Sequence, residues 1–461
     1  MFACSKQTTQ KENSPNNYNI VWIVSDSLRF DVLGTNGGEA KTPNIDWLAK
    51  NGTSFINAHS TSPRTLPSSV GMLTGNNPGG YPFIPNKKSH DRYIVPEGEY
   101  LLAEALTDIG YKSTAYVNNP YSYVSGNMQG FNLVENIGKV TDEQKDNISK
   151  ITTRIRKDPR YQKIYLYVDY LLNLKPGQKF FSLVWITDPH LPYAPPTDYK
   201  NQIIVDPAKL PEPYEKYTWN NGHDSLKRTQ YERDYTKALY VKEVESMDER
   251  IGFIIKALKQ NDLLDKTIIV FTADHGEHFG EHGETSHGGS YFEELLHVPL
   301  IFSGAGIPKN KKIVQSVSNI DLTATLEDLL RVGHVISANN KSYAGLFKNE
   351  EVASRPQYFI GTRLDYQKYV DAAMWGNYKL ISLIDGSYEL FDIANDPAEQ
   401  DNLFNKQPEV RKRLLTIIEE FRSKNKKRVN KLSSEAETIR PVHGKEEKET
   451  VKRLKSLGYI H

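Results

Sequence analysis

The sequence is poor in several things that would narrow its class at once. It has one cysteine, Cys4, in 461 residues, so no internal disulfide framework exists. That fits a reducing compartment without requiring one. No run approaches the ~20 consecutive apolar residues of a membrane span, and no apolar leader follows Met1. As it stands the sequence therefore reads as cytoplasmic. The stretch Phe2 to Cys4 echoes the end of a lipoprotein signal, so an extracytoplasmic lipoprotein with a misassigned start is the alternative. Net charge is only +1, which removes the broad electrostatic case for nucleic acid or an anionic membrane as partner. There are no internal repeats and no low-complexity tract beyond the polar N-terminal segment.

What is present is an alternation of short apolar runs and helical patterns. Ile20–Val24 (IVWIV), Phe180–Ile186 (FFSLVWI), Thr267–Phe271 (TIIVF) and Val298–Phe302 (VPLIF) are β-branched and aromatic, as expected of strands buried on both faces. Thr42–Lys50 carries a cap and a proline at the first helical position, and residues 231–260 show apolar spacing of helical period. The expected fold is α/β, with a large, mostly parallel central sheet flanked by helices. From about Gly345, Tyr358–Gly361, Tyr378–Ile384 and Ser387–Asp392 read as a small C-terminal antiparallel sheet, followed by a helix from about Gln407 to Ser423. Residues 1–17 are expected to be a disordered N-terminal segment and 18–343 a catalytic domain. Residues 344–423 form a subdomain packed on it, and 424–461 a charged tail ending in a short helix.

In parallel sheets, ligands gather beyond the carboxyl ends of the strands. Asp26, Asp188 with His190, and Asp274 with His275 all fall at such ends. Each alone is equally well read as a turn-capping residue; together they point to a site. Thr65 opens the segment TLPSSVGMLTG, with Pro67 suited to a first helical turn and Gly75 to a helix end. A hydroxyl there sits among free backbone N–H groups that favour an anion. A plain helix-cap threonine is the competing reading. In Asp274–His287 (DHGEHFGEHGETSH), adjacent Asp274 and His275 can share one cation if Gly276 lets the backbone turn sharply. His278 and His282 read as exposed loop histidines, and His287 as a site residue.

Residues 24–31 (VSDSLRFD), 42–49 (TPNIDWLA) and 67–75 (PSSVGMLTG) together resemble the opening of a domain of the sulfatase family, within the alkaline-phosphatase superfamily. Residues 188–193 (DPHLPY), 247–252 (MDERIG), 267–277 (TIIVFTADHGE), 287–300, 321–326 (DLTATL) and 389–403 (ELFDIANDPAEQDNL) resemble later landmarks of that family, in order. Residues 457–460 (LGYI) are similar to a tail seen in one branch. The resemblance implies an alkaline-phosphatase-like fold and an ester hydrolase. It implies that Asp26, Thr65, Asp274 and His275 hold one divalent metal ion, with Thr65 also the nucleophile. His190 and His287 would contact the ester, one protonating the leaving oxygen, with Arg29 a further catalytic neighbour that alternatively pairs with Asp31 or holds the site rather than touching substrate.

The departures are informative. Thr65 stands where the formylglycine precursor, Cys or Ser, is found. Oxidised threonine would be a ketone, so no formylglycine is expected. Ser69 replaces an arginine, Ser27 a second aspartate, and the family's Lys-x-His pair maps near residues 118–120 (NNP). Loss of these cations leans toward monoanionic groups, sulfate monoesters or phosphodiesters. Arg64, Lys112 and Arg363 are candidate replacements. His275 in place of asparagine shifts the metal among Mn²⁺, Zn²⁺, Ca²⁺ and Mg²⁺ toward Mn²⁺ or Zn²⁺. A second metal would need further ligands near Asp188 and is not expected. The expected function is hydrolysis of sulfate or phosphate esters of small molecules, glycans or lipids. Alternatives are a phosphotransferase or phosphodiesterase acting on glycan or lipid headgroups and, from another class, a catalytically silent binding protein.

Overall fold

A computed structural model describes residues 17–85, 92–117, 119–134, 140–153, 155, 157–210, 213–219, 226–333, 340–361 and 369–435. Its centre is an eight-stranded sheet built from β1 (Asn19–Ser25), β2 (Gly52–Phe55), β3 (Lys112–Val117), β4 (Asn132–Val134), β5 (Phe180–Ile186), β6 (Thr267–Ala273), β7 (Leu300–Gly304) and β8 (Lys311–Ile313). The order across the sheet is β8-β2-β7-β6-β1-β5-β3-β4. All pairings are parallel except those of β7, which runs antiparallel to both of its neighbours. The apolar runs read from the sequence are the central strands. Every residue of β1, β5 and β6 is buried, as strands covered by helices on both faces must be.

The helices follow from local chemistry. Helix α1 (Pro43–Lys50) starts on its proline, and the Thr42 hydroxyl bonds Asp46 rather than capping a backbone N–H. Helix α2 (Thr65–Thr74) ends at Gly75 in the left-handed conformation, φ 66°. Helix α3 (Pro159–Leu172) is capped by Asp158. Helix α4 (Gln230–Gln260) opens on a reciprocal capping pair of Thr229 and Glu232. No helix among the described residues is long and apolar enough to cross a membrane.

A second, antiparallel sheet follows in the order β9 (Gln357–Ile360), β10 (Tyr369–Trp375), β11 (Tyr378–Leu383), β12 (Tyr388–Asp392). Strand β10 was not read from the sequence. Helix α5 spans Pro408–Glu435 and so passes the end expected near Ser423. Its charged extension is held by contacts: Asn425 donates to Asn77, and Arg428 to Glu99 and to the Tyr81 hydroxyl. Residues 1–16 and the expected helix at 451–461 lie outside the described residues.

Candidate active site

The site forms where β1, β5 and β6 end. Asp26, fully buried, follows β1, with its N–H on the Ile186 carbonyl at 2.9 Å. Ser27 then takes a left-handed backbone, φ 63°, rare for a residue with a Cβ. That turn aims its N–H at Asp274 Oδ1, 3.0 Å away. The His275 N–H donates to the same oxygen at 2.9 Å. Asp274 Oδ2 is buried and has no hydrogen-bond partner. The Asp274 carbonyl is pinned by the hydroxyls of Ser60 and Ser68.

Thr65 is the first residue of α2, and Arg64, not Thr65, occupies the cap position. Its Oγ1 lies 3.2 Å from His275 Nε2 and 3.4 Å from Asp26 Oδ1. His275 Nδ1 bonds the Gly276 carbonyl at 2.9 Å, which turns the Nε2 lone pair toward the cluster. Nε2 is 3.8 Å from Asp26 Oδ1 and 3.6 Å from Asp274 Oδ2. Burial, together with the adjacent Asp26 charge, pushes the Asp274 carboxyl well above the usual range. Burial and the neighbouring His287 hold His275 well below its usual value, and so neutral. Two buried carboxyls, an Asp274 oxygen that makes no hydrogen bond and a neutral imidazole suit a divalent cation. Asp26, Asp274 and His275 offer ligand atoms within 4.8 Å of one another.

Two further histidines complete the arrangement. The His287 ring is 4.4 Å from that of His275 and 5.0 Å from that of His190. His190 arrives on the loop after β5, with its Nδ1 on the Leu191 carbonyl at 2.6 Å. Thr65, His190 and His287 are therefore gathered around the Asp26, Asp274 and His275 cluster.

Several expectations change in detail. Asp188 is not part of the cluster. It is engaged by Arg250 at 2.8 Å and Arg160 at 3.0 Å, which hold its carboxyl below the usual range despite burial. Arg160 also donates to the Ala194 carbonyl, so one guanidinium fastens both ends of the His190 loop. Each of the three Arg29 guanidinium nitrogens donates to a protein acceptor: Asp31, Glu281 or the Glu277 carbonyl. His278 and His282 are not exposed. A hairpin pairing His278–Phe279 with Thr285–Ser286 folds the loop back, His278 meets Ser290 at 3.0 Å, and His282 stacks on Phe292 at 3.6 Å. Gly276 matters for space rather than for a left-handed turn: a Cβ there would lie 2.0 Å from the Glu294 carbonyl oxygen.

Two residues were not singled out from the sequence. Asn119 donates to Asp26 Oδ2 at 2.6 Å. Glu277, pushed up to about 8 by burial, lies 3.2 Å from His287 Nδ1. Its position two residues after His275 was the available signal.

The family model "Sulfatase" matches residues 18–332, and "N-sulphoglucosamine sulphohydrolase, C-terminal" matches residues 280–426. The chain belongs to the sulfatase family. It is accordingly an ester hydrolase of the sulfuric-ester class. Arylsulfatase K of Mus musculus is 25% identical over 456 residues, covering 89% of this chain and 80% of the relative. In solved structures the fold is similar to a 2-O GAG sulfatase, with TM-score 0.71, 20% identity and 89% and 93% of the two chains covered. It is also similar to the phosphonate monoester hydrolase of Agrobacterium radiobacter, with TM-score 0.68, 19% identity and coverage of 89% and 96%. At these identities the structural likeness speaks for the fold.

Proposed function

We propose that this sulfatase-family enzyme cleaves sulfate or phosphate esters with the Thr65 hydroxyl as nucleophile and one divalent ion held by Asp26, Asp274, His275 and Thr65. The observation that carries this is the position of Thr65 Oγ1, on the first residue of α2 and within 3.4 Å of both Asp26 and His275. Magnitudes decide what the helix can do alone. Its dipole supplies about 0.3–1 kcal/mol, less than one pKa unit. A bound divalent cation supplies the Lewis acidity that an alcohol needs, as such ions lower the pKa of water from 15.7 to about 7. Asp26 and His275 would hold the Thr65 oxygen beside the ion, its proton would pass to solvent as the alkoxide forms, and the α2 N-terminus favours the negative charge left behind.

His287 suits the proton donor to the leaving alcohol. Glu277 orients its Nδ1, leaving Nε2 for the ester oxygen. Burial, with His190 and the Arg64 charge nearby, holds His287 well below its usual pKa. An anionic ester arriving beside it reverses that repulsion and favours imidazolium. His287→Gln is therefore expected to cost about 10²–10⁴-fold with an alkyl ester and far less with a p-nitrophenyl ester, whose phenolate leaves unaided. Equal losses on both esters would remove His287 from that role.

The favoured headgroup is monoanionic. Ser69, at the place of the family's arginine, turns its hydroxyl back to the Leu66 carbonyl at 2.9 Å. Sulfated or phosphorylated glycans and small esters are the proposed substrates. Dialysis against a chelator should abolish turnover of p-nitrophenyl sulfate, phosphate and phosphodiester, and added Mn²⁺ or Zn²⁺ should restore it. Unchanged turnover after verified metal removal would defeat the single-ion reading.

A further inference from the structure

The nucleophile sits among carboxylates, imidazoles and amides, yet the group it attacks is an anion. Positions that carry family cations hold Ser69 and the Asn119 neighbourhood here. Lys112 begins β3, at the end of the strand away from Asp26, and its ammonium lies over the Tyr170 ring at 4.9 Å. Lys163 places its ammonium on the Val117 carbonyl. Arg363 lies outside the described residues.

Arg64 is placed differently. It caps α2 directly before Thr65, and its side chain is half-buried. That side chain runs across the face of Gly288, the neighbour of His287. A Cβ at Gly288 would fall 2.1 Å from Arg64 Nε, 2.6 Å from Cγ and 2.8 Å from Cδ. Gly288 also holds φ at +85°, which a side chain would strain. The absence of a side chain there is what opens the path of the arginine to the edge of the histidine cluster.

We propose that Arg64 is the specificity-determining cation of this site, donating through its guanidinium to the non-bridging oxygens of the sulfuryl or phosphoryl group held at Thr65. A guanidinium fork matches two such oxygens at once, which an ammonium does not. The proposal rests on the nucleophile reading above, so its test includes a measurement that does not need turnover.

Inorganic phosphate and inorganic sulfate are titrated calorimetrically into metal-loaded wild type, Arg64→Gln and Arg64→Lys. The kcat/KM values for p-nitrophenyl sulfate and phosphodiester are measured alongside. Arg64→Gln should weaken anion binding about 10- to 100-fold and lower kcat/KM by a similar factor, the net range of one charge-assisted hydrogen bond. Arg64→Lys should recover part of both, and thermal unfolding should not move. Wild-type affinity for both anions in Arg64→Gln would overturn the proposal, as would a wild type that binds neither. Undiminished turnover in Thr65→Ala would instead sink the nucleophile reading, with the anion titrations still deciding on Arg64.

Discussion

Thr65→Ala should lower turnover of every ester substrate by at least about 10⁴-fold, the scale seen when a nucleophile is removed from a preorganised site. It should do so without unfolding the protein. Arg64 holds the cap position and the Thr65 hydroxyl makes no cap bond, so the cap penalty of about 0.5–2 kcal/mol does not apply. Metal content should persist, because Asp26, Asp274 and His275 remain. Thr65→Ser keeps a hydroxyl at the same helix end and should retain activity. The discriminating result is the pairing of turnover with melting temperature. A variant that turns over normally but melts early would return Thr65 to a purely structural part.

The second large effect lies outside the site. Lys379, on β11 of the small sheet, is fully buried and pairs with Glu293 at 2.7 Å and Glu399 at 2.8 Å. Glu293 also meets His59 Nε2 at 3.0 Å, and its N–H donates to Glu399 Oε2. One ammonium thus joins the small sheet to the segment that follows His287. Lys379→Met would leave two carboxylates facing each other in a dry interior, at about 3–5 kcal/mol. Against a total stability of about 5–15 kcal/mol, that is a large share. Denaturant unfolding should show it, and a loss under 1 kcal/mol would be incompatible with it. Against burial, which pushes it up, Lys379 and His59 hold Glu293 well below the carboxylate range. Its stabilising contribution is therefore present above its unfolded value of about 4.5 and is lost as pH falls through the lower folded one. Acid should narrow the gap between variant and wild type.

Much of this architecture was legible in the chain. Strands buried on both faces leave unbroken β-branched runs, so β1, β5 and β6 could be read almost to the residue. Asp26, Asp274 and His275 were legible because parallel topology brings consecutive strand ends to one edge. Other features depend on partners distant in sequence. Asp188 has the same local signature as Asp26, and only the arrival of Arg160 from α3 and Arg250 from α4 distinguishes an ion-paired anchor from a candidate ligand. Asn119 gives no sign in sequence of its bond to Asp26. His278 and His282 lie in a glycine-rich stretch that looks solvated until the hairpin folds back on Phe292. The charges beyond Ser423 suggested a tail because the acceptors of Arg428 lie more than 300 residues away.

That same long reach has a temporal consequence. Asn425 and Arg428 meet Asn77 and Glu99 across 348 and 329 residues. At roughly 5–20 residues per second, synthesis delivers these two side chains some 20 to 70 s after α2 has been made. A nascent chain therefore carries α2 long before the contacts that α5 makes with the segment after it can form. Completion of these contacts is tied to completion of α5, so they form only once nearly the whole described chain has been made.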